Sequence, residues 1–229
     1  MTMFERLADR FVLGRRMERF REVLDQRTLW IVPVLENIRK AHNASAVVRT
    51  CDALGVAAVH FVEYENSFAL NPKISKGAHD WVEQRAWNSM EDCLAWFRSQ
   101  GYLIAGTTLH ESAIAPEALP LDRPVALILG NERFGLSGKA VAACDCLVSL
   151  PMYGFVESLN VSVAAALVID GHLKRVKAKG DGRWRLPLRE RKRILRRWIF
   201  FCTRIGGLVQ KMRLKKRIEA GIAAGDDED

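Results

Sequence analysis

Three short polar clusters in this 229-residue chain carry side chains that could do chemistry. The first pairs Asn43 with Arg49 in "NASAVVRTCDALG", the second places Glu132 in "GNERFGLS", and the third puts Ser158 and Asn160 at the end of "LPMYGFVESLN". An arginine can bind an anion, and amide, hydroxyl and carboxylate groups can orient a polar substrate. The clusters predict a site for a polar or charged substrate, built from segments far apart in the chain.

Each cluster also has a purely structural interpretation. Asn43 is a good N-cap for the helix predicted after it, Arg49 is a common surface residue, and Glu132 could cap a helix that begins near Ser137. Because Asn43 and Arg49 are separated by nearly two helical turns, we predict that they share one helix face. The third cluster offers a serine and an asparagine where a helix needs only one cap, so one of them is a candidate for another role.

The elements predicted around the clusters would bring them together. Continuously apolar strands alternate with helices, which predicts an α/β fold with a parallel sheet covered on both faces. Ligands of such sheets bind beyond the carboxyl ends of the strands, where the loops that begin at Thr107, Gly130 and Pro151 are expected. The proline in the first strand argues for a sheet edge or a bulge. We predict strands in "LWIVPVLE", "YLIAGTT", "PVALILG" and "CLVSLP" and near residues 57–63 and 81–86.

The composition excludes several classes of protein. Hydrophobic residues make up 49% of the chain, yet the charged start lacks the apolar core of a signal peptide. No apolar run approaches the roughly 20 residues that cross a bilayer. Five cysteines follow no metal-binding or disulfide pattern, so we expect reduced thiols, no metal and a cytoplasmic location. Neither the G-x-G-x-x-G dinucleotide signature nor a P-loop is present in the sequence.

Charge is concentrated near the C-terminus. Residues 1–170 carry 17 Lys and Arg against 20 Asp and Glu, a net charge of −3, whereas residues 171–229 carry 18 against 7, a net charge of +11, which together give +8. Residues 183–217 contain 14 of these basic residues and one acid, Glu190. Cations beside aromatic rings suit phosphate contact and base stacking, which predicts a nucleic acid partner, with a solvated helical face as the alternative. The aromatic residues in the segment are Trp184, Trp198, Phe200 and Phe201.

Taken together, the three clusters resemble in order and spacing the motifs of the SpoU branch of the SPOUT RNA 2′-O-methyltransferases. The resemblance covers roughly residues 15–175, and "LPMYGFVESLNVSVAAALVI" is its most specific part. It implies a SPOUT-type parallel sheet flanked by helices, a C-terminal deep trefoil knot and a homodimer. It also implies S-adenosylmethionine as the cofactor, without a metal, held largely by backbone groups around Thr107, Gly130, Leu150 and Leu159.

The same resemblance implies roles for the clustered side chains. Arg49 matches the family's catalytic arginine, and the homodimer would let it act across the subunit interface. Because an arginine is a poor base at neutral pH, we expect it to stabilise the developing alkoxide and clamp the adjacent phosphate. Asn43 would orient Arg49, Glu132 would hold the loop and the arginine in place, and Ser158 and Asn160 would position the ribose.

The flanking segments resemble those of family members that methylate guanosine 18 in the D-loop of tRNA. We therefore expect tRNA as the substrate, with ribosomal-RNA methylation or non-catalytic RNA binding as alternatives. The expected organisation is an N-terminal helical extension (1–27), a methyltransferase domain (28–179), a basic RNA-binding extension (180–225) and an acidic tail (226–229). Beyond Ile169 the chain departs from the family's arginine- and glutamine-rich turn, and the expected RNA contacts are Arg19, Lys174, Arg175, Lys177 and Arg183.

Overall fold

Strands and helices alternate through the computed structural model, which describes residues 14–63, 70–109 and 113–202. Residues 1–13 of the predicted N-terminal extension, residues 203–225 of the predicted basic extension and the predicted acidic tail lie outside these ranges. No helix within them is long and apolar enough to cross a membrane. The elements are α1 (Gly14–Gln26), β1 (Ile31–Glu36), α2 (Ala41–Leu54), β2 (Ala58–Val62), α3 (Pro72–Ser75), α4 (Ala78–Trp81), β3 (Glu83–Trp87), α5 (Met90–Ser99), β4 (Leu103–Thr107), β5 (Val125–Leu129), α6 (Gly138–Ala143), β6 (Cys146–Val148), α7 (Val161–Ala178) and α8 (Leu188–Cys202).

The strands form one parallel sheet in the order β3-β2-β1-β5-β4-β6. Alternate side chains of the strands enter two separate cores. Ile31 and Leu35 of β1 pack into the core beneath α2 and α7, whereas Val32 and Val34 pack into the core beneath α5 and α6. The predicted parallel sheet with both faces covered is therefore confirmed.

Pro33 lies in the interior of the sheet, so the first predicted alternative, a sheet edge, was wrong. The second, a bulge, agrees with the pairing, because two extra residues lie between Thr28, which pairs with Val56, and Val34, which pairs with His60.

The Trp30 carbonyl accepts from Val125 of β5, which turns even-numbered residues of β1 towards β5 and odd-numbered ones towards β2. Pro33 thus faces β2, and the pairing of β1 with β2 begins only at Val34. Because the ladder is interrupted at this point, the missing N–H of the proline leaves no sheet hydrogen bond unmade.

A third core joins the two ends of the described chain. Phe20 of α1 packs against Trp198 of α8, with ring centroids 5.6 Å apart. Trp198 is 1% exposed and Trp184 is 8% exposed, so the prediction that these two rings are available for base stacking was wrong. The large apolar area of Trp198 stabilises the docking of α8 on the domain.

Several arginines of α8 also contact the domain. Arg193 forms a bidentate ion pair with Glu83 at 2.5 Å, and Arg191 pairs with Asp25. Arg197 donates to two backbone carbonyls, that of Asp80 in α4 and that of Val82 directly after α4. Part of the basic charge therefore holds the helix in place, which neither prediction for the basic segment anticipated.

Candidate active site

Asn43 joins the three predicted clusters by hydrogen bonds. It lies in the first turn of α2 and is 5% exposed. Its Nδ2 donates to Glu132 Oε1 at 2.7 Å, and its Oδ1 accepts from Asn160 Nδ2 at 3.0 Å. One amide group thus connects α2 to the loop after β5 and to the start of α7. The interpretation of Asn43 as the N-cap was wrong, because α2 begins at Ala41 and Lys40 occupies the cap position.

Asn160 caps α7 and contacts Asn43 at the same time. Its Oδ1 accepts from the backbone N–H of Ser162 at 2.9 Å and from the Ser162 hydroxyl at 2.7 Å, while its Nδ2 donates to Asn43. The side-chain oxygen of Asn160 therefore caps α7, while its side-chain nitrogen connects the helix start to Asn43. Ser158, two residues before the cap, is exposed and lines the cavity beside it.

Glu132 connects a third segment to this network. Its Oε2 accepts from the backbone N–H of Arg39 at 3.2 Å, in the connection between β1 and α2. The alternative interpretation of Glu132 as the cap of α6 was wrong, because Ser137 caps that helix by accepting from the N–H of Ala140 at 3.1 Å. The carboxylate is therefore directed towards the Asn43 amide.

The loop from Gly130 to Ser137 is held by its own backbone and by β1. Asn131 and Gly135 exchange two backbone hydrogen bonds of 2.9 and 2.8 Å. A Cβ on Gly130 would lie 2.2 Å from the carbonyl carbon of Gly135, so only glycine fits there. Glu36 at the end of β1 is 1% exposed and accepts from both the N–H and the hydroxyl of Ser137, at 2.8 and 2.6 Å.

Sequence reasoning missed two residues that shape this loop, Glu36 and Asn131. Glu36 binds Ser137 as described above, and Asn131 Nδ2 donates to the Asn37 carbonyl at 2.7 Å. Both side chains were visible as polar groups at the ends of apolar strands. A polar residue at that position of a parallel sheet is a signal for a functional loop, and it could have identified them.

A cavity of about 670 Å³ opens beside the network at the carboxyl ends of β4, β5 and β6; we call it the carboxyl-end cavity. Its size is within the range of about 300–1,000 Å³ typical of small-molecule sites. The structure brings together here all the residues predicted to hold the cofactor and all but one of those predicted to be catalytic. They are Asn43, Thr107, Gly130, Glu132, Leu150, Ser158, Leu159 and Asn160.

Arg49 is the predicted site residue that lies apart. It is exposed and lines a separate groove of about 550 Å³ with His42, Thr50 and Lys73. The prediction that it shares a helix face with Asn43 was wrong, because six residues at 100° each leave it about 120° away around α2. Within one chain, Arg49 therefore does not reach the carboxyl-end cavity.

Two of the predicted RNA-binding residues donate hydrogen bonds to backbone carbonyls of the domain. Arg175 donates to two backbone carbonyls of the turn at Pro116–Leu119, at 3.2 and 3.1 Å. Arg183 pairs with Asp181 at 2.5 Å and donates to the Leu121 carbonyl at 3.1 Å. Both guanidinium groups thus support loops of the domain.

The other predicted RNA contacts are on the surface. Arg19 pairs with Glu22 of α1 at 3.0 Å, and Lys174 pairs with Asp170 of α7 at 2.6 Å. All four side chains are exposed to solvent. Lys177 lies 4.6 Å from the centroid of the Trp184 ring. Exposed ion pairs of this kind are weak, so these cations could exchange their partners for phosphates at little cost.

Comparisons with known proteins agree with this geometry. The model of the SpoU rRNA Methylase family matches residues 31–170. The chain is 35% identical over 185 residues to a tRNA (guanosine(18)-2′-O)-methyltransferase from Thermus thermophilus, covering 80% of this chain and 95% of that protein. The structure of the A. aeolicus TrmH/SpoU tRNA modifying enzyme is 34% identical with a TM-score of 0.75, over 82% of this chain and 97% of that one. The SpoU methyltransferase AviRb from Streptomyces viridochromogenes, solved with AdoMet, shares the fold at 23% identity and a TM-score of 0.59, over 66% and 62% of the two chains.

Proposed function

This chain belongs to the SpoU methylase family, and we propose that it transfers a methyl group from S-adenosylmethionine to the ribose 2′-hydroxyl of guanosine 18 in tRNA. The observation that carries the proposal is the amide of Asn43, which joins all three motifs at the wall of the carboxyl-end cavity. A network that fixes residues 89 and 117 positions away in the sequence pre-organises the cavity for a transition state.

The residues around the carboxyl-end cavity fit S-adenosylmethionine. Gly130 lets the loop backbone pack closely against Gly135, and the Thr107 hydroxyl donates to the Ile128 carbonyl at 3.1 Å, which fixes the backbone at the wall. Leu150 and Leu159 supply apolar surface. The bound cofactor supplies an electrophilic methyl group on a cationic sulfur, so the reaction does not require a metal. We assign these four residues to cofactor binding, largely through backbone groups.

The other residues of the site would bind and orient the RNA. Ser158 is exposed at the cavity wall and would contact the ribose together with Asn160. Glu132 and Asn43 would hold the loop and the amide of Asn160 in one arrangement. Arg49 would stabilise the oxyanion that forms as the 2′-hydroxyl loses its proton, since a guanidinium remains charged at neutral pH.

A homodimer would bring Arg49 to the reaction. Arg49 lies outside the carboxyl-end cavity of its own chain, and large apolar side chains are exposed on the loops and the helix that contribute residues to its wall. Exposed apolar patches of this kind mark protein interfaces. We therefore propose that Arg49 of a second copy completes the site, and that the C-terminal part carries the family's deep trefoil knot. The exposed side chains are Leu109, Phe134, Tyr153, Phe155, Val156, Val163 and Leu167.

Sedimentation at micromolar concentration tests the dimer. We expect a species of twice the monomer mass of 25.9 kDa. A monomer that still methylates tRNA would contradict the completion of the site by a second copy. Mixing Arg49→Ala with Asn43→Ala subunits is the sharper test, because one of the two sites in each mixed dimer would regain both residues.

The extension around α8 favours tRNA over ribosomal RNA as the substrate. The similarity to the Thermus tRNA enzyme covers 95% of that protein and 80% of this chain, which supports tRNA as the substrate. We also propose extensions at 1–27 and 180–225 around a domain at 28–179, and RNA contacts by the surface cations Arg19, Lys174 and Lys177.

Labelled S-adenosylmethionine separates the candidate functions. We expect label in bulk tRNA at the ribose of guanosine 18 and much less label in ribosomal RNA. Asn43→Ala should reduce the transfer strongly, whereas the exposed surface control Lys139→Ala should not. Label in ribosomal RNA alone would establish the alternative substrate, and no label in either RNA would leave a non-catalytic RNA-binding protein.

A further inference from the structure

A second cavity, of about 490 Å³, opens at the other end of the sheet; we call it the amino-end cavity. Its wall includes Trp30, Tyr102 and Pro124, which directly precede β1, β4 and β5, together with Trp96 of α5 and the segment before α8. Pro124 lines this cavity and Gly130 lines the other, and six residues of extended strand at about 3.3 Å each place the two about 20 Å apart. The two cavities are therefore separate sites.

The floor of the amino-end cavity is aromatic. His60 of β2 lies 4.7 Å from the ring of Phe97 and 5.2 Å from that of Trp96, measured between centroids. Trp96 is partly exposed, and Arg85 of β3 lies with its guanidinium carbon 4.9 Å from the Trp96 ring and 3.8 Å from the Trp87 ring. Closely packed aromatic rings, with the His60 ring tilted by 40° to Trp96 and 42° to Phe97, and a planar guanidinium form a surface on which a flat heteroaromatic ring can pack.

The rim of the amino-end cavity has unbalanced positive charge. Its two carboxylates, Glu83 and Glu190, are both bound by Arg193, at 2.5 and 2.8 Å. Arg85 and Arg185 are exposed at the rim, and neither has a carboxylate partner within residues 14–63, 70–109 and 113–202. Arginine binds phosphate oxygens in a bidentate manner, so an anionic group is the ligand that this rim would attract.

His60 provides a hydrogen-bond donor of fixed tautomer. Trp87 Nε1 donates to His60 Nδ1 at 3.1 Å, so the proton of the neutral imidazole resides on Nε2. Burial, and secondarily the charge of Arg85, lower the pKa of His60 from 6.5 to about 4, which keeps the ring neutral at physiological pH. A neutral donor on an aromatic floor suits a heterocycle with acceptor atoms at its edge.

We propose that the amino-end cavity binds a nucleotide unit, with its base on the Trp96 floor and its phosphate at Arg85 and Arg185. Two sources share this chemistry, a free mononucleotide and a nucleotide of the RNA substrate. The RNA source rests on the proposed function, whereas nucleotide binding itself does not. As part of tRNA, the bound nucleotide would anchor the substrate about 20 Å from the reacting ribose.

Titration of the full-length protein with 5′-GMP and 5′-AMP, followed by tryptophan fluorescence and calorimetry, tests the proposal. Saturating S-adenosylhomocysteine is present to occupy the carboxyl-end cavity. We expect saturable binding of at least one nucleotide. Guanosine, which lacks the phosphate, and ribose 5-phosphate, which lacks the base, should each bind at least about tenfold more weakly.

Variants assign the binding to this cavity. Arg85→Ala and Arg185→Ala should each weaken nucleotide binding by about threefold or more, and Trp96→Leu by about tenfold, whereas Trp96→Phe should retain it because a ring remains. Lys139→Ala on α6 removes one exposed charge outside this cavity and should change nothing. Circular dichroism of each variant verifies that it is folded.

Competition with tRNA distinguishes the two sources. If GMP competes with tRNA and Arg85→Ala raises the KM for tRNA, the cavity holds a nucleotide of the RNA. If GMP binds without competing, the site takes a free nucleotide. The proposal is overturned if neither mononucleotide binds saturably and the tRNA KM is the same in wild type, Arg85→Ala and Trp96→Leu. Nucleotide binding by a protein that transfers no methyl group would instead refute only the proposed function.

Discussion

The two ends of the sheet carry different kinds of side chain. At the carboxyl ends, polar side chains from distant segments bond to one another, with Asn43 between Glu132 and Asn160. At the amino ends, aromatic rings and arginines dominate, and the segment before α8 forms one wall. At the first end the polar side chains belong to three motifs whose order and spacing resemble those of a known family, so the function of this end could be inferred from the sequence. At the second end the same tryptophans and arginines can support packing, docking or binding, and only the structure separates these uses.

Of the effects predicted here, the loss of folding stability on removing Trp198 should be the largest. Its ring is buried between Phe20 and Trp81, so Trp198→Ala should lower the free energy of unfolding by about 3–5 kcal/mol. Phe200→Ala is the matched control, because Phe200 is 43% exposed on the same helix and should cost much less. Urea unfolding of both variants measures the difference. Equal losses would mean that α8 is not docked through Trp198.

Arg49→Ala should break the carboxyl-end site without unfolding it. We expect methyl transfer to fall at least about 10²-fold, or about 2.7 kcal/mol, while the affinity for S-adenosylmethionine stays within a few-fold. Arg49→Lys should not restore the rate, because an ammonium cannot reproduce the planar fork of the guanidinium. Turnover near that of the wild type in either variant would exclude Arg49 from the reaction.

A buried histidine on α7 should make stability depend on pH. Neither ring nitrogen of His172 has a hydrogen-bond partner among the described residues, and burial, with Arg175 as a second cause, lowers its pKa from 6.5 to about 4. Between these two values the unfolded chain binds the proton and the folded chain does not, so stability falls as the pH drops from 6.5 towards 4. Between pH 7 and pH 5 this histidine should contribute a loss of about 2 kcal/mol.

His172→Leu separates this contribution from that of His60, whose pKa is also lowered to about 4. Urea midpoints at pH 7 and pH 5 should differ less in His172→Leu than in the wild type, with the remaining difference due in part to His60. The exposed His42 is the control, and His42→Asn should retain the full pH dependence. An unchanged pH dependence in His172→Leu would show that the imidazole is not buried in its neutral form.

The sequence predicted the fold and the carboxyl-end site more completely than it predicted the C-terminal segment. Apolar strands separated by helices determine a parallel sheet, and the positions after β4, β5 and β6 then follow from topology. The angle of about 120° between Asn43 and Arg49 follows from 100° per residue, so the sequence alone already argued against a shared helix face. What the sequence could not supply was the packing of α8 that buries Trp198 against Phe20 and Trp81, because it depends on contacts between segments that are far apart in the chain.

Two exposed cations on α8 give the smallest expected effect, and they test whether this helix contacts RNA. Deleting the basic segment would expose the core formed with α1, so single charges are the better probe. Arg189 and Lys192 are exposed, and neither is bound to another part of the described chain, whereas Arg191 pairs with Asp25.

If both cations contact phosphates, Arg189→Ala with Lys192→Ala should lower the slope of log affinity against log salt by about 1.4–1.8, because each lost contact accounts for about 0.7–0.9. Arg191→Ala removes the same charge from the same helix and should lower the unfolding temperature while leaving the salt slope unchanged. An unchanged slope in the double variant would mean that this face of α8 is solvated, and that RNA is bound elsewhere.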